Sequence, residues 1–494
     1  MKKNILLLAI LAMLNACNTT TQSTTDEQSI DYRPAHHYSP PKNWVNDPNG
    51  LVYLDGEYHL FYQYNPFGDK WGHMSWGHAV SKDLKSWETL PVALPEFDNG
   101  DSTQTMIFSG CVVIDSANTA GFFEKGFKKG MVAIFTSHID KAGKGQAQHQ
   151  SLAYSADKGR TWKYYDKNPV LDLKMKDFRD PNVIWYPEKQ VWLMTVAKPL
   201  EYTVQFYESK GLKKWNLLSE FGKQGDTTKI WECPSLVKVP LENATEEKWV
   251  LMISSGHRQK NYLAMQYFVG DFDGKDFTPQ KQNEVFYIDE GKDFYAAIPF
   301  NNLPKSQPNP IIIGWLNDWE YAREIPTGTW RGSFSIPRKL ALTNDGGTYK
   351  LMQTPIVTDN IPTETITLNA HKAIHVKVAS TSNNTYRLKL IVNILDSKGF
   401  ELNLLKNDNE KSILSYDVAT ERLSFDRTQS GKVDFHKRFK SVETMTVKPQ
   451  NNQLKLDIIM DKSVVEIFAN DGQKVLTDLV FPTKTNGKIE INWK

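Results

Sequence analysis

One short unit recurs along the chain: AVSKDLKSWE at 79–88, AYSADKGRTWK at 153–163 and FYESKGLKKWN at 206–216, with a looser copy, YFVGDFDGKDF, at 267–277. Each copy reads as a strand, a tight charged turn and an aromatic, and the aromatics Trp87, Trp162, Trp215 and Phe277 are 75, 53 and 62 residues apart. Recurrent β units of this size, with long insertions, are the pattern of propeller blades. From about residue 33 the chain is otherwise full of short alternating or apolar runs, such as GEYHLFYQYNP and QVWLMTVAKP, broken by Gly, Pro, Asn and Asp. Long amphipathic helical patterns are missing, so the fold class is all-β. A fifth unit opens with GKDFYAAIPF at 291–300 and continues into IIIGWLNDW, which gives five blades.

A blade's innermost strand precedes its outer hairpin and lines the central axis, so residues far upstream of each aromatic should meet there. Asp47, in NWVNDPNGLVY, lies 40 residues before Trp87; Asp180, in FRDPNVIWY, lies 35 before Trp215; Glu232, in KIWECPSLVKV, lies 45 before Phe277. The second blade has IFSGCVVID at the matching place. Alone, Asp-Pro-Asn-Gly is an ordinary β-turn. Two Asp-Pro pairs and a Glu-Cys-Pro, each opening an apolar strand at a corresponding point of a repeat, are instead expected to converge on one axial pocket. Pro48, Pro181 and Pro234 are expected to hold the residues before them extended and aim them along one rim.

At 494 residues the chain exceeds what one core usually supports, so two domains are expected. After about residue 355 the pattern shifts to alternating strands such as YRLKLIVNIL and QLKLDIIM, which read as a β-sandwich. TNDGGTYKLMQTP is the expected junction, giving a propeller over 33–350 and a sandwich over 351–494. With 59 Lys plus Arg against 57 Asp plus Glu, no basic excess points to nucleic acid or an anionic membrane surface. Aromatics make up 12% of residues, and their flat faces suit sugars as well as cores. Residues 1–17 read as an export signal: Lys2 and Lys3, an apolar run from Ile5 to Leu14 too short to remain as a membrane span, then LNAC ending at Cys17. LNAC resembles a bacterial lipobox, which implies a lipid on Cys17, a polar tether over 18–32 and a place in the bacterial cell envelope, periplasmic or at the surface. Cys111 and Cys233 make no disulfide framework and are expected as small apolar filler.

The chain also carries, in order, WVNDPNG, QYNP at 63–66, FSG at 108–110, RDP at 179–181, ECP at 232–234, DFYA at 293–296, GWLNDW at 314–319 and RGSFSIPRKL at 331–340. As a set these resemble the motifs of glycoside hydrolases acting on β-fructofuranosides, the invertases, inulinases and levanases of family 32. The resemblance covers nearly the whole mature chain and implies a five-bladed propeller followed by a β-sandwich. Departures are Val45, where the family usually has Met, and Cys111, where a Ser commonly follows FSG. Phe108 and ANTAGFF are similar to the bacterial levanase and exo-inulinase pattern, and EIFANDG resembles a structural motif of the family's sandwich.

Cleaving a ketofuranosidic bond needs a proton for the leaving oxygen and a partner for the cation-like C2, hence two carboxylates in different protonation states. The resemblance implies Asp47 as nucleophile, Glu232 as general acid and then base, and Asp180, beside Arg179, as the stabiliser gripping the sugar's 3- and 4-hydroxyls. It implies contacts to the terminal fructosyl unit from Asn46, Gln63, Trp71, Phe108, Ser109, Arg179 and Asp289, with Trp315 as a wall. The histidines of WGHMSWGH, His73 and His78, have no carboxylate or Cys spacing of a metal site around them, so neither a metal nor a cofactor is expected. The expected activity is retaining hydrolysis that releases terminal fructose from levan or inulin, and from sucrose. Alternatives are an endo-acting levanase, a fructosyltransferase with the same carboxylates, and a non-catalytic fructan-binding lipoprotein.

Overall fold

In the computed structural model, residues 30–127, 129–242, 244–260, 262–369 and 382–494 are described. The expected signal, the lipidation site Cys17 and the tether up to residue 29 lie outside them. The far end of the expected tether is part of the fold: Tyr32 is buried and donates its hydroxyl to the Pro482 carbonyl at 3.1 Å, and Asp31 pairs with Lys462.

The described residues form five mainly antiparallel sheets arranged as blades I–V, then two sandwich sheets. The innermost strands are Asn43–Leu54, Gln104–Ile114, Arg179–Tyr186, Glu232–Pro240 and Tyr295–Pro299. Each touches the next, and Tyr295–Pro299 returns to Asn43–Leu54, closing the ring. The short strand Trp330–Arg331 pairs in parallel with Asn43 and Trp44, so chain from blade V seals blade I.

The repeated aromatics explain why the blades stack. Trp162 of blade II sits edge-on to Phe61 of blade I, centroids 5.6 Å apart, and Phe277 of blade IV meets Phe221 of blade III at 5.4 Å. Trp215 packs against the apolar cluster shared by blades II and III, and Trp87 against Tyr38. The charged turns of the second, third and fourth repeats thus each deliver one ring to a seam between sheets, where it buries a large apolar area.

The expected break at 350 falls inside a blade V strand, because Thr348–Pro355 pairs along its length with Arg338–Asp345. The first sandwich strand is Thr363–Asn369. The two sandwich sheets face each other across a core that includes Leu388, Phe400, Leu414, Phe425 and Ile458.

The two domains are bolted together by buried charges. Arg338 is fully covered; its guanidinium meets Asp289 at 2.9 Å and Glu466 at 2.7 Å and lies over the Phe294 ring at 4.2 Å. His37 bridges Asp461 at 2.8 Å and Glu466 at 3.0 Å. Asp293 binds Arg427 and accepts the Tyr321 hydroxyl at 2.6 Å. At Gly291 a Cβ would come within 2.1 Å of the Thr477 carbonyl oxygen, so only glycine lets the two domains approach this closely.

Candidate active site

All five innermost strands carry the same irregularity where they begin. Between Val45 and Pro48, Ile107 and Gly110, Arg179 and Asn182, Glu232 and Ser235, and Tyr295 and Ile298, three steps on the inner strand oppose two on its neighbour. This is a one-residue β-bulge repeated around the axis, a device that re-aims side chains beside active sites. It corrects the expectation of equivalent positions: Glu232 is the first residue of its bulge, Asp180 the second and Asp47 the third. Three successive positions on three blades bring the acids in from different angles. The residues before Pro181 and Pro234 are not extended as expected: Asp180 has φ +65° and Cys233 φ +48°, each left-handed at the second position of its bulge.

The carboxylates are tightly held. Asp47 accepts the Ser109 hydroxyl at 2.6 Å on one oxygen and the Asn46 amide at 3.0 Å on the other, and the Trp44 indole fixes Asn46 at 2.7 Å. Asp180 accepts the backbone N–H of Cys233 at 2.9 Å. Glu232 receives the Arg179 guanidinium at 3.1 Å on one oxygen and the Tyr295 hydroxyl at 2.9 Å on the other. Cys233 is more than filler: its Sγ lies 3.7 Å from an oxygen of both Asp47 and Asp180. Cys111 is buried in the seam between blades II and III, where Val183 N–H meets its sulfur at 3.1 Å.

Burial pushes the Asp47 carboxyl above its usual range although the Ser109 and Asn46 bonds pull it down, and the charge of Glu232 pushes the same way as burial. Burial lifts Asp180 to about 7, aided by the charges of Glu232 and Asp47 and opposed by Arg179. Tyr295 is raised well above its ordinary value by burial and by Glu232, so it stays a hydroxyl donor.

A second layer orients Arg179. The Gln148 side-chain oxygen accepts Arg179 at 3.1 Å and Phe178 N–H at 2.9 Å, while its amide nitrogen meets His138 at 3.1 Å. The His138 ring stacks on Phe108, centroids 4.2 Å apart and planes 1° from parallel, and Trp71 stands edge-on to Phe108 at 6.1 Å. Gln63 ties blade I to blade II by donating to the Ile107 carbonyl at 3.0 Å.

Two expected site residues are elsewhere. Asp289 is buried in the domain interface with Arg338, Thr477 and the Gly291 N–H around its carboxylate, because the buried guanidinium needs its charge. Trp315 is fully covered, beneath Trp44 and the partly exposed Trp319, whose centroids lie 6.1 and 4.9 Å away. Of these three rings only Trp319 is open to solvent. Tyr295, Gln148 and His138 were missed; the DFYA motif signalled the first, and nothing local marked the other two. His78 pairs with His59 in the core of blade I at 3.0 Å, and His73 with Glu96 at 2.7 Å.

Residues 37–355 match the N-terminal domain of the glycosyl hydrolases family 32, and residues 349–494 match that family's C-terminal domain. The chain belongs to glycosyl hydrolases family 32. It is 40% identical to the levanase of Bacillus subtilis (strain 168) over 99% of this chain and 71% of that protein. It is 38% identical to the extracellular exo-inulinase of Aspergillus awamori over 92% of this chain and 90% of that protein. The crystal structure of exo-inulinase from Aspergillus awamori superposes with a TM-score of 0.86 at 36% identity, covering 94% of this chain and 96% of that one. A fructofuranosidase from Schwanniomyces occidentalis complexed with fructose gives 0.83 at 30% identity, with coverages of 94% and 96%. Membership of family 32 makes the chain a glycosidase with the propeller-and-sandwich architecture read from its repeat.

Proposed function

We propose that the chain is a retaining β-fructosidase that removes terminal fructose from levan or inulin and splits sucrose. The observation that carries this reading is the held pair of acids: Asp47 with both oxygens tied by Ser109 and Asn46, and Glu232 with both oxygens tied by Arg179 and Tyr295. Its support includes relatives whose names are levanase and exo-inulinase.

In this mechanism Asp47 attacks C2 while Glu232 gives its proton to the leaving oxygen, forming a fructosyl ester on Asp47. Glu232 then takes a proton from water, which attacks C2 and frees Asp47. Asp180 grips the sugar's 3- and 4-hydroxyls, and bonds there strengthen as the ring flattens, stabilising the transition state more than the ground state. Asn46, Gln63, Trp71, Phe108, Ser109 and Arg179 shape the pocket around one terminal unit, with Trp319 in place of Trp315. We extend the reading to export from the cytoplasm, an extracellular relative being consistent with it, and to a lipid anchor at Cys17 followed by a tether. The propeller then ends, and the sandwich begins, in the 356–362 connection.

A pocket on the propeller axis admits a chain end, so the expected product of levan and inulin early in digestion is free fructose alone, with polymer length falling slowly. Chromatography of the first time points checks this; an early ladder of fructo-oligosaccharides would show internal cleavage, and transfer of fructose to sucrose would show a fructosyltransferase.

The raised carboxyls set the acid side of the pH profile. A raised Asp47 stays protonated, and unable to attack, to a higher pH than an ordinary aspartate, so kcat/KM should fall with decreasing pH along a limb above the usual 3.8. Because Asp47 and Asp180 interact, that limb belongs to the pair. Ser109→Ala removes a bond that favours the Asp47 anion and should move the limb up by about one pH unit. A limb that stays put in the variant contradicts the assignment of Ser109.

A further inference from the structure

The inner strand of blade III begins at Arg179, and Phe178, just before it, lies outside the strand ladder. Two glutamine side chains of blade II take the place of a neighbouring strand. Phe178 donates its N–H to the Gln148 side-chain oxygen at 2.9 Å, and its carbonyl accepts the Gln150 amide at 2.8 Å. The two glutamines are two residues apart on the strand Lys144–Ser155, so they share a face, and both are buried. Each is oriented by the residue across the hairpin from it, Thr136 for Gln150 and His138 for Gln148. The Thr136 hydroxyl donates to the Gln150 oxygen at 2.9 Å and accepts the Asp180 N–H at 3.0 Å.

The Gln148 side reaches a charge. Its oxygen accepts a second donor, Nη1 of Arg179, at 3.1 Å. An oxygen that takes two N–H groups leaves the amide nitrogen as the donor, so the contact of that nitrogen with His138 Nδ1 at 3.1 Å requires Nδ1 to accept. His138 is therefore the neutral imidazole with its proton on Nε2, in keeping with the burial that pushes the group down to about 4. The ring is slotted in place: it lies parallel to Phe108 at 4.2 Å, and a Cβ on Gly145 would press on it at 2.6 Å. With Nη1 tethered by Gln148 and by Asp177 at 2.9 Å, the guanidinium turns its Nε to Glu232 at 3.1 Å.

Resting on the β-fructosidase reading, we propose that Gln148 is a positioning residue for acid catalysis: oriented by a neutral His138, it holds Arg179 on Glu232 and so aims the acid's proton at the leaving oxygen. Of its two tethers at Nη1, Arg179 would otherwise keep only Asp177, whose side chain is 35% exposed. A guanidinium free to follow that side chain toward water no longer fixes the carboxyl angle on which proton transfer depends.

The test compares kcat/KM on sucrose with kcat/KM on p-nitrophenyl β-fructofuranoside, whose leaving group departs without a proton. Gln148→Leu should lower the first by at least about tenfold, the size expected for a lost hydrogen bond to a charged group, and the second by less than about threefold. His138→Leu should show the same split, whereas His138→Asn, whose side-chain oxygen takes the place of Nδ1, should recover most of it. An equal fall on both substrates is a general loss of packing and overturns the proposal, as does a His138→Asn variant no better than His138→Leu. If Gln148→Leu does not fold, the two His138 variants decide, with melting curves beside them. NMR of the parent with isotope-labelled histidine, its His138 signal identified by its loss in His138→Asn, should show Nδ1 bare and Nε2 protonated at neutral pH; a proton on Nδ1 also overturns the proposal. A parent that splits neither substrate sinks the β-fructosidase reading, while the imidazole signal still decides whether His138 orients Gln148.

Discussion

Asp47→Asn and Glu232→Gln should each lower fructose release by at least about 10²–10⁴-fold, the usual loss when a nucleophile or an acid–base group is removed. Both replacements are nearly isosteric, and the hydroxyl and amide partners around them can rearrange, so the folded state should survive. The Asp47 amide cannot form the ester. The Glu232 amide cannot pass a proton, yet it can still accept a bond from Arg179 or Tyr295, which now hold the two oxygens of the acid. The check is a rate assay on sucrose beside a melting curve. A folded variant that keeps more than roughly a tenth of parental activity would remove that residue from its role.

The second large effect is on stability. Arg338→Met should destabilise the fold by about 3–5 kcal/mol, because it strands the Asp289 carboxylate and half-strands Glu466 in a site closed to water. The guanidinium makes bonds to Asp289, Gln353, Glu466 and Thr477, all buried. His37 keeps a second contact on Glu466 at 3.0 Å, which leaves Asp289 as the worse-off acid. Removing that acid as well, in Arg338→Met with Asp289→Leu, should therefore recover part of the loss, since apolar replacements of a buried pair are often tolerated. Denaturant titrations of parent, single and double variants measure this. A double variant no more stable than Arg338→Met alone would mean that lost packing on Phe294, and not the orphaned charge, dominates.

The repeat was legible because its signal is local. A charged turn followed by an aromatic needs only a dozen residues to be seen, and Trp162 and Phe277 turned out to be the rings wedged between blades. The convergence of Asp47, Asp180 and Glu232 followed from spacing within that repeat. Their stagger did not, because a bulge is a mismatch between two strands and leaves no mark on one of them; the φ of +65° at Asp180, just before a proline, ran against local preference. Asp289 was misplaced for a related reason. DEGKDFYA is one motif with two tasks: Asp289, Glu290 and Asp293 face partners in the sandwich, while Tyr295 reaches Glu232. Nothing in those eight residues says which acid faces which way. Trp315 and Trp319, four residues apart, posed the same ambiguity, and only packing shows that the second shields the first.

Asp47 should form a covalent bond to the fructosyl unit during turnover. Acid-quenching the Glu232→Gln variant during reaction with an activated β-fructoside, whose departure needs no proton, should trap the ester. Peptide mass mapping should then find one added fructosyl unit on the peptide bearing Asp47, and none when Asp47→Asn is introduced. A fructosyl unit found on another residue, or single-turnover release of fructose with no adduct on Asp47 at any quench time, would contradict the account.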